Sequence, residues 1–243
     1  MKAHARSLTR DILRGALDAI RLPLSWSAGA SSAARSLHRR SGLAGAEPGL
    51  AAARAQFDTA SWNLDLLKHL EWRRFEELCA AYFDALGFTA RIAGAREGGG
   101  ADIVLAAAGS DRAAIVVHCK AWSAYRVGIK SVRELRAAMA SVGAGEGVLV
   151  TPGRFTQEAV ARAPGEDIRL IDGTDLMGKL AALPPEPARA LLKLATQGDF
   201  LTPTCPRCSV KMVARQSIAG GRRFWGCPNY PKCKEIVFGT GPG

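Results

Sequence analysis

From Trp62 onward, large apolar residues fall at threes and fours: Leu67, Leu70, Phe75, Leu78, Cys79, Tyr82, Phe83 and Leu86. This spacing predicts a core helix or helix pair, and Gly87 follows where a left-handed cap is wanted. The period then shortens. Runs rich in β-branched residues at 88–92, 102–106 and 114–121 read as a meander of three strands, the last two separated by Gly109-Ser110-Asp111. Ser131 with Glu134 three residues on reads as a capping box opening a helix that runs to about Ser141. A buried strand at 147–151, a short helix at 157–163 closed by Pro164, a strand at 168–171 and a helix at 175–183 complete the pattern. Helix, three strands, then alternating helix and strand predict an α/β domain, a mixed β-sheet flanked by helices on both faces.

The ends differ from this middle. Residues 7–22 place Leu8, Ile12, Leu13, Ala16 and Ile20 near helical spacing with arginines between them, which predicts a basic amphipathic helix within 1–24. Beyond it Ser, Ala, Gly and Arg dominate, so 25–60 reads as a flexible linker. Pro184-Pro185 ends the domain at 61–183, a Leu-rich helical connector occupies 184–203, and a cysteine-rich module fills 204–243.

Charge separates the same parts. The net charge of +11 divides into +6 for residues 1–55, −1 for 56–183 and +6 for 184–243. Basic ends around a neutral middle point to a polyanionic partner, most simply nucleic acid, bound through the ends. No stretch approaches the roughly 18 apolar residues of a membrane span, so a membrane location is not expected. Cysteines crowded at one end are no secreted disulfide framework, and no signal-peptide core is present, so the expected location is the cytoplasm, with the nucleoid as the DNA-bound site.

Cys205-Pro206-Arg207-Cys208 and Cys227-Pro228-Asn229-Tyr230-Pro231-Lys232-Cys233 are separated by 18 residues. Two tight turns can each present two thiolates to one ion, so Cys205, Cys208, Cys227 and Cys233 are expected to hold a structural Zn²⁺ with no open position for catalysis. Arg222, Arg223, Phe224, Trp225, Tyr230 and Lys232 interleave cations with rings. That mixture suits single-stranded nucleic acid, although one of Phe224 and Trp225 is expected to pack the small core instead. The string from Gly221 to Cys233 resembles the C-terminal zinc ribbons of bacterial type IA DNA topoisomerases, which implies binding of single-stranded DNA.

In the middle domain, Asp102 opens one strand and His118-Cys119-Lys120 closes the next. Alternation puts His118 and Lys120 on one face, with Asp102 able to stand beside both. A carboxylate for a divalent metal and a lysine to orient and help deprotonate water are the minimum for metal-assisted phosphodiester hydrolysis. The glycines Gly98, Gly99 and Gly100 would let a phosphate backbone approach. Cys79 and Cys119 lack a cationic partner and read as core residues.

The segments 70–78, 98–103, 118–120, 148–156 and 170–173 come in the order of Mrr-type restriction endonucleases, and the resemblance spans about 62–183. It implies the PD-(D/E)xK nuclease fold, a restriction-endonuclease-like sheet. It also implies cleavage of DNA, often methylated, with Mg²⁺ or Mn²⁺, and a homodimer as one way of breaking both strands. Asp102 would be the metal ligand, Lys120 the catalytic lysine and Glu76 an accessory acid near the metal. His118 stands where the family usually has Gln or Glu, and as a ligand it would favour Mn²⁺ over Mg²⁺; Gly98 stands where the family often has Asp. The expected function is therefore a metal-dependent endonuclease of restriction or repair, held on DNA by a zinc ribbon. The competing expectation is a DNA-binding or DNA-maintenance protein whose nuclease domain no longer cuts.

Overall fold

The computed structural model describes residues 57–93, 100–107, 109–110, 112–121, 126–217 and 221–238. The predicted N-terminal helix, most of the linker, Gly98 and Gly99 lie outside the described residues.

The first apolar stripe forms two helices, α1 (Leu64–His69) and α2 (Trp72–Ala85), broken at Leu70. Asn63 caps the first, its side chain accepting from the Leu66 amide, and Glu71 caps the second, accepting from the amides of Arg73 and Arg74. Gly87 takes φ +92°, the left-handed value its position called for. Strands β1 (Phe88–Ile92), β2 (Ile103–Ala107) and β3 (Ala113–Cys119) form the expected antiparallel meander.

The next helix, α3 (Ile129–Val142), departs from the sequence reading. Its cap is Gly128, without a side-chain hydrogen bond, and Ser131 lies inside the first turn, so Ser131 and Glu134 form no capping box. The cap lies three residues earlier than Ser131, and the helix packs Val132, Leu135 and Met139 against the sheet, an apolar demand that outweighs a local cap. Glu134 is thereby turned outward towards the end of β3.

Strand β4 (Glu146–Val150), helix α4 (Gln157–Arg162) with a 3₁₀ turn (Ala163–Glu166), strand β5 (Ile168–Ile171), helix α5 (Gly173–Ala181) and helix α6 (Pro185–Thr196) come next. The five strands lie in the order β1-β2-β3-β4-β5, with β3, β4 and β5 parallel. One face packs Ile103, Leu105, Ile115, Val117, Val148 and Val150 against α1, α2, α5 and α6. The other packs Val116 and Leu149 against α3 and α4. A parallel pair covered on both sides explains why β4 reads as a continuous apolar run rather than an alternation.

A second sheet of three antiparallel strands, β6 (Val213–Gln216), β7 (Arg223–Gly226) and β8 (Ile236–Val237), makes the C-terminal module. Its core is Cys205, Met212, Trp225, Cys227 and Cys233. So few apolar residues cannot hold a fold without a cross-link or a metal. Among the described residues no helix is long and apolar enough to cross a membrane.

Candidate active site and zinc module

The candidate chemistry collects where β2 begins and β3 ends. Ile103 pairs with Val117, so Asp102 comes beside His118, and its Oδ2 accepts from the Cys119 amide at 2.7 Å. Cys119 turns towards α2 and meets Cys79. That hydrogen bond, with burial, holds the Cys119 thiol well above its ordinary value, and both cysteines pack in the core against α2. His118 points the opposite way and is 3 % exposed. Neither of its ring nitrogens has a hydrogen-bond partner of normal geometry. Burial lowers its pKa against the pull of Asp102, with Lys120 lowering it further and the Gly100 backbone and Glu134 raising it.

Lys120 is held from two sides. Its amide donates to Val150 O at 2.9 Å, and the buried Thr151 hydroxyl donates to its carbonyl at 3.0 Å. Thr151 Oγ1 also accepts from the Gly153 amide at 3.1 Å, and the Gly173 amide bonds Gly153 O at 3.0 Å. A Cβ on Gly173 would sit 2.2 Å from Pro152 O, so only glycine lets the start of α5 close on this turn. The segments 148–156 and 170–173 thus act as the frame of the lysine. Its ammonium lies 3.4 Å from Glu134 of α3. Sequence reasoning assigned Glu134 to a cap and missed it as a neighbour of the site; only the packing of α3 on β3 and β4 brings it there.

Glu76 sits on the buried stripe of α2. Burial first, then the charge of Asp102, push its carboxyl up to about 8, while Arg73 at 3.4 Å opposes the shift. The charge of Asp102 reaches both Glu76 and His118, but among the described residues only the four cysteines bring their ligand atoms close enough together to hold one ion. Carboxylate and imidazole are donors of the kinds that Mg²⁺ and Mn²⁺ accept, the imidazole favouring Mn²⁺.

In the C-terminal module the sulfurs of Cys205, Cys208, Cys227 and Cys233 all lie within 4.8 Å of one another. Zn–S bonds of about 2.3 Å in a tetrahedron put sulfurs about 3.8 Å apart; the Cys205 and Cys233 sulfurs are 3.8 Å apart. Burial pushes the Cys227 thiol up to about 12, so the thiolate there needs a cation to displace its proton. The donor set fits Zn²⁺.

The module's two sheet faces differ. Trp225 is 8 % exposed and packs on the cysteines, so of the two rings it is the one that fills the small core: alternation turns it inward while Phe224 points outward. The outer face presents Phe224 beside Phe238, with ring centroids 6.3 Å apart, and the Arg222 guanidinium lies 6.0 Å from the Phe238 centroid. Phe238 is 56 % exposed, and Val213 and Ile236 flank it. Phe238 escaped sequence reasoning, although its alternation with Ile236 was visible. Arg215 crosses this face over Gly226, whose Cβ would meet it at 2.7 Å. Tyr230, 63 % exposed, and Lys232 stand apart with Arg207 and Asn229 around an open hollow of about 530 Å³.

Residues 67–180 match the family model of the Mrr catalytic domain, described as a restriction endonuclease. Residues 202–238 match the model described as a topoisomerase DNA-binding C4 zinc finger. The central domain is thus similar to the Mrr-type restriction endonucleases and the C-terminal module to the topoisomerase zinc ribbons. No curated protein matches the chain. Among solved structures, the MspJI restriction endonuclease in complex with a 27-mer oligonucleotide matches at 18 % identity with a TM-score of 0.36, over 67 % of this chain. The match takes in 36 % of that protein, so this chain spans about a third of its length. The chain thus joins a domain that matches the restriction-endonuclease model to a module that matches the DNA-binding zinc-finger model.

Proposed function

We propose that the protein is a metal-dependent endonuclease that hydrolyses DNA phosphodiester bonds in restriction or repair. The placement of Asp102 beside the buried His118, at the end of the strand that delivers Lys120, carries the reading, and the buried Glu76 lies within reach of the Asp102 charge. Asp102, His118 and Glu76 would hold Mg²⁺ or Mn²⁺. That ion, when bound, neutralises charge on the scissile phosphate and favours hydroxide over water. Asp102 has Oδ1 to offer while Oδ2 is fixed by the Cys119 amide. Lys120, framed by Thr151 and Val150, orients the attacking water and accepts part of the charge it develops. Burial of His118 favours the neutral ring that can offer a lone pair at neutral pH.

The ribbon would hold Zn²⁺ through Cys205, Cys208, Cys227 and Cys233, and single-stranded DNA on the face of Phe224, Phe238, Arg222 and Arg215, with Arg223 next to it on β7 and Tyr230 and Lys232 offering further contacts at their separate hollow. Nicking of supercoiled plasmid with Mg²⁺ or Mn²⁺, lost in Asp102→Ala and Lys120→Ala while DNA binding survives, is the expected result. Equal cutting by those variants would refute the nuclease assignment. Parallel plasmids with and without methylation test whether methylated duplex is preferred, and sedimentation on duplex DNA tests for a homodimer.

One observation favours a second reading, a binding protein that no longer cuts. Lys120 is paired with Glu134, and the strand carries His118 in place of an acid or amide. Steeply salt-dependent binding with no product under either metal would support it.

A further inference from the structure

A buried acid that the proposed chemistry does not use sits at the other end of α2's first turns. The Glu71 side chain is 3 % exposed, and both its oxygens are filled. Oε1 accepts from the Arg74 amide at 3.2 Å, the Thr204 hydroxyl at 3.1 Å and the Lys211 ammonium at 3.1 Å. Oε2 accepts from the amides of Arg73 at 3.1 Å and Thr204 at 3.2 Å. Two of these partners belong to the zinc ribbon. Trp72 adds a bond from its indole nitrogen to Thr204 O at 2.7 Å, and the Glu71 amide donates to Phe200 O at 2.9 Å.

Thr204 immediately precedes Cys205, and a β-bridge joins it to Lys211. The Cys205 amide bonds Val210 O at 2.8 Å, and the Met212 amide bonds Pro203 O at 2.9 Å. The turn that presents Cys205 and Cys208 is therefore the same unit that feeds Glu71. Without a metal that turn has little core to keep it closed, and zinc binding supplies most of such a module's folding energy. If it opens, Glu71 loses the donors on Thr204 and Lys211 and keeps only the amides of Arg73 and Arg74. Losing partners from a buried carboxylate is strongly unfavourable, and the strain falls on the cap of α2, five residues before Glu76.

We propose that metal loading of the four-cysteine cluster and the placement of α2 are one coupled equilibrium, joined at Glu71, so that the ribbon is a built-in brace of the nuclease domain. Glu71 is a positioning residue: it touches neither substrate nor the reacting atoms. The proposal rests on the reading of the four cysteines as a zinc site. It also changes the role of the ribbon from a tether on a slack chain to a part whose docking the catalytic helix depends on.

Coupling is reciprocal: whatever zinc does for α2 through Glu71, Glu71 does for metal affinity. The test is a Co²⁺ titration of the full chain stripped of zinc, following the cobalt–thiolate absorption bands. Glu71→Gln and Lys211→Met are expected to weaken Co²⁺ binding about 5- to 150-fold. Glu186→Gln, an exposed change on α6, is expected to leave it unaltered. Lys211→Met keeps the cap of α2 and the Thr204 bonds, so it carries the test if Glu71→Gln misfolds. Hydrogen exchange of residues 72–85 should rise in the wild type when a zinc chelator is added. Wild-type affinity in both variants, or exchange indifferent to zinc, overturns the coupling while leaving the zinc site standing. Absence of thiolate bands in the wild type overturns both. Neither measurement reads DNA cleavage, so the nuclease reading stands or falls separately.

Discussion

Replacing Glu76 by Gln should make the protein more stable at alkaline pH and less able to cut. The Glu76 carboxyl is pushed from 4.5 to about 8, chiefly by burial and then by Asp102. Because the folded-state value lies above the unfolded one, the native state binds the extra proton between those limits. The contribution is fully present below about pH 4.5, declines as pH rises, and is gone above about pH 8. A shift of this size sets an upper limit of about 5 kcal/mol at about 1.4 kcal/mol per pH unit. Relaxation and hydration of the ionised group reduce that, so about 1–3 kcal/mol is expected. Glutamine keeps the shape without the charge and should remove the slope. Urea unfolding of zinc-loaded wild type and Glu76→Gln at pH 5, 7 and 9, without Mg²⁺ or Mn²⁺, measures the difference. His118 titrates in both proteins and with the opposite sign, so subtracting one curve from the other isolates Glu76. Adding Mn²⁺ at pH 9 should restore part of the lost stability to the wild type and little to the variant. Parallel curves, or a variant weaker than wild type at pH 9, would show that the folded state does not raise the Glu76 carboxyl, and equal stabilisation of both proteins by Mn²⁺ would show that Glu76 has no part in a cation site.

The remaining predictions concern the frame, the neighbour of the lysine and the ribbon. Gly173→Ala forces a Cβ to 2.2 Å from Pro152 O and should cost about 3 kcal/mol, lowering the melting temperature by roughly 6–12 °C in calorimetry. Glu134→Gln removes the partner 3.4 Å from the Lys120 ammonium and should slow cleavage roughly 10- to 100-fold with DNA affinity intact, by single-turnover kinetics; unchanged rates would make the pair incidental. Phe238→Ala should weaken binding of oligo(dT) by about 1–3 kcal/mol in fluorescence anisotropy. Arg222→Ala should instead flatten the dependence on salt by roughly one ion.

Much of the sheet could be read from the sequence because its strands are short, apolar and punctuated. Strand 88–92 and the strand at 168–171 have the bounds their β-branched runs suggested, and Gly87 turns where a cap was wanted. Alternation likewise put His118 and Lys120 opposite Cys119. What local pattern could not supply was contact across the chain. Glu134 looked like a capping partner because Ser131 precedes it by three; the apolar face of α3, set by Leu135 and Met139 against the sheet, overrode that motif. Trp225 looked like a stacking ring until β7 was seen to pair on both edges, which leaves one face for the cysteines and gives the other to Phe224 and Phe238. Nothing in the local pattern marks Glu71, because its partners Thr204 and Lys211 are more than 130 positions away, beyond any periodicity.

The charge division acquires a physical reason from these contacts. The proposed cation site would have to gather acids, and Glu76, Asp102 and Glu134 all exert or feel charge near the end of β3. Such a cluster would repel phosphates, and the near-neutral central domain offers little nonspecific attraction to DNA. The ribbon has the opposite balance, with the +6 carried by residues 184–243, and its exposed rings and arginines suit a strand held without regard to sequence. On the proposed reading, attraction and chemistry are divided between two modules. Separation works only if the strand held by one is presented to the other, and a slack connection would leave that to chance. The buried carboxylate of Glu71, filled by donors from both modules, removes the slack where the catalytic helix begins.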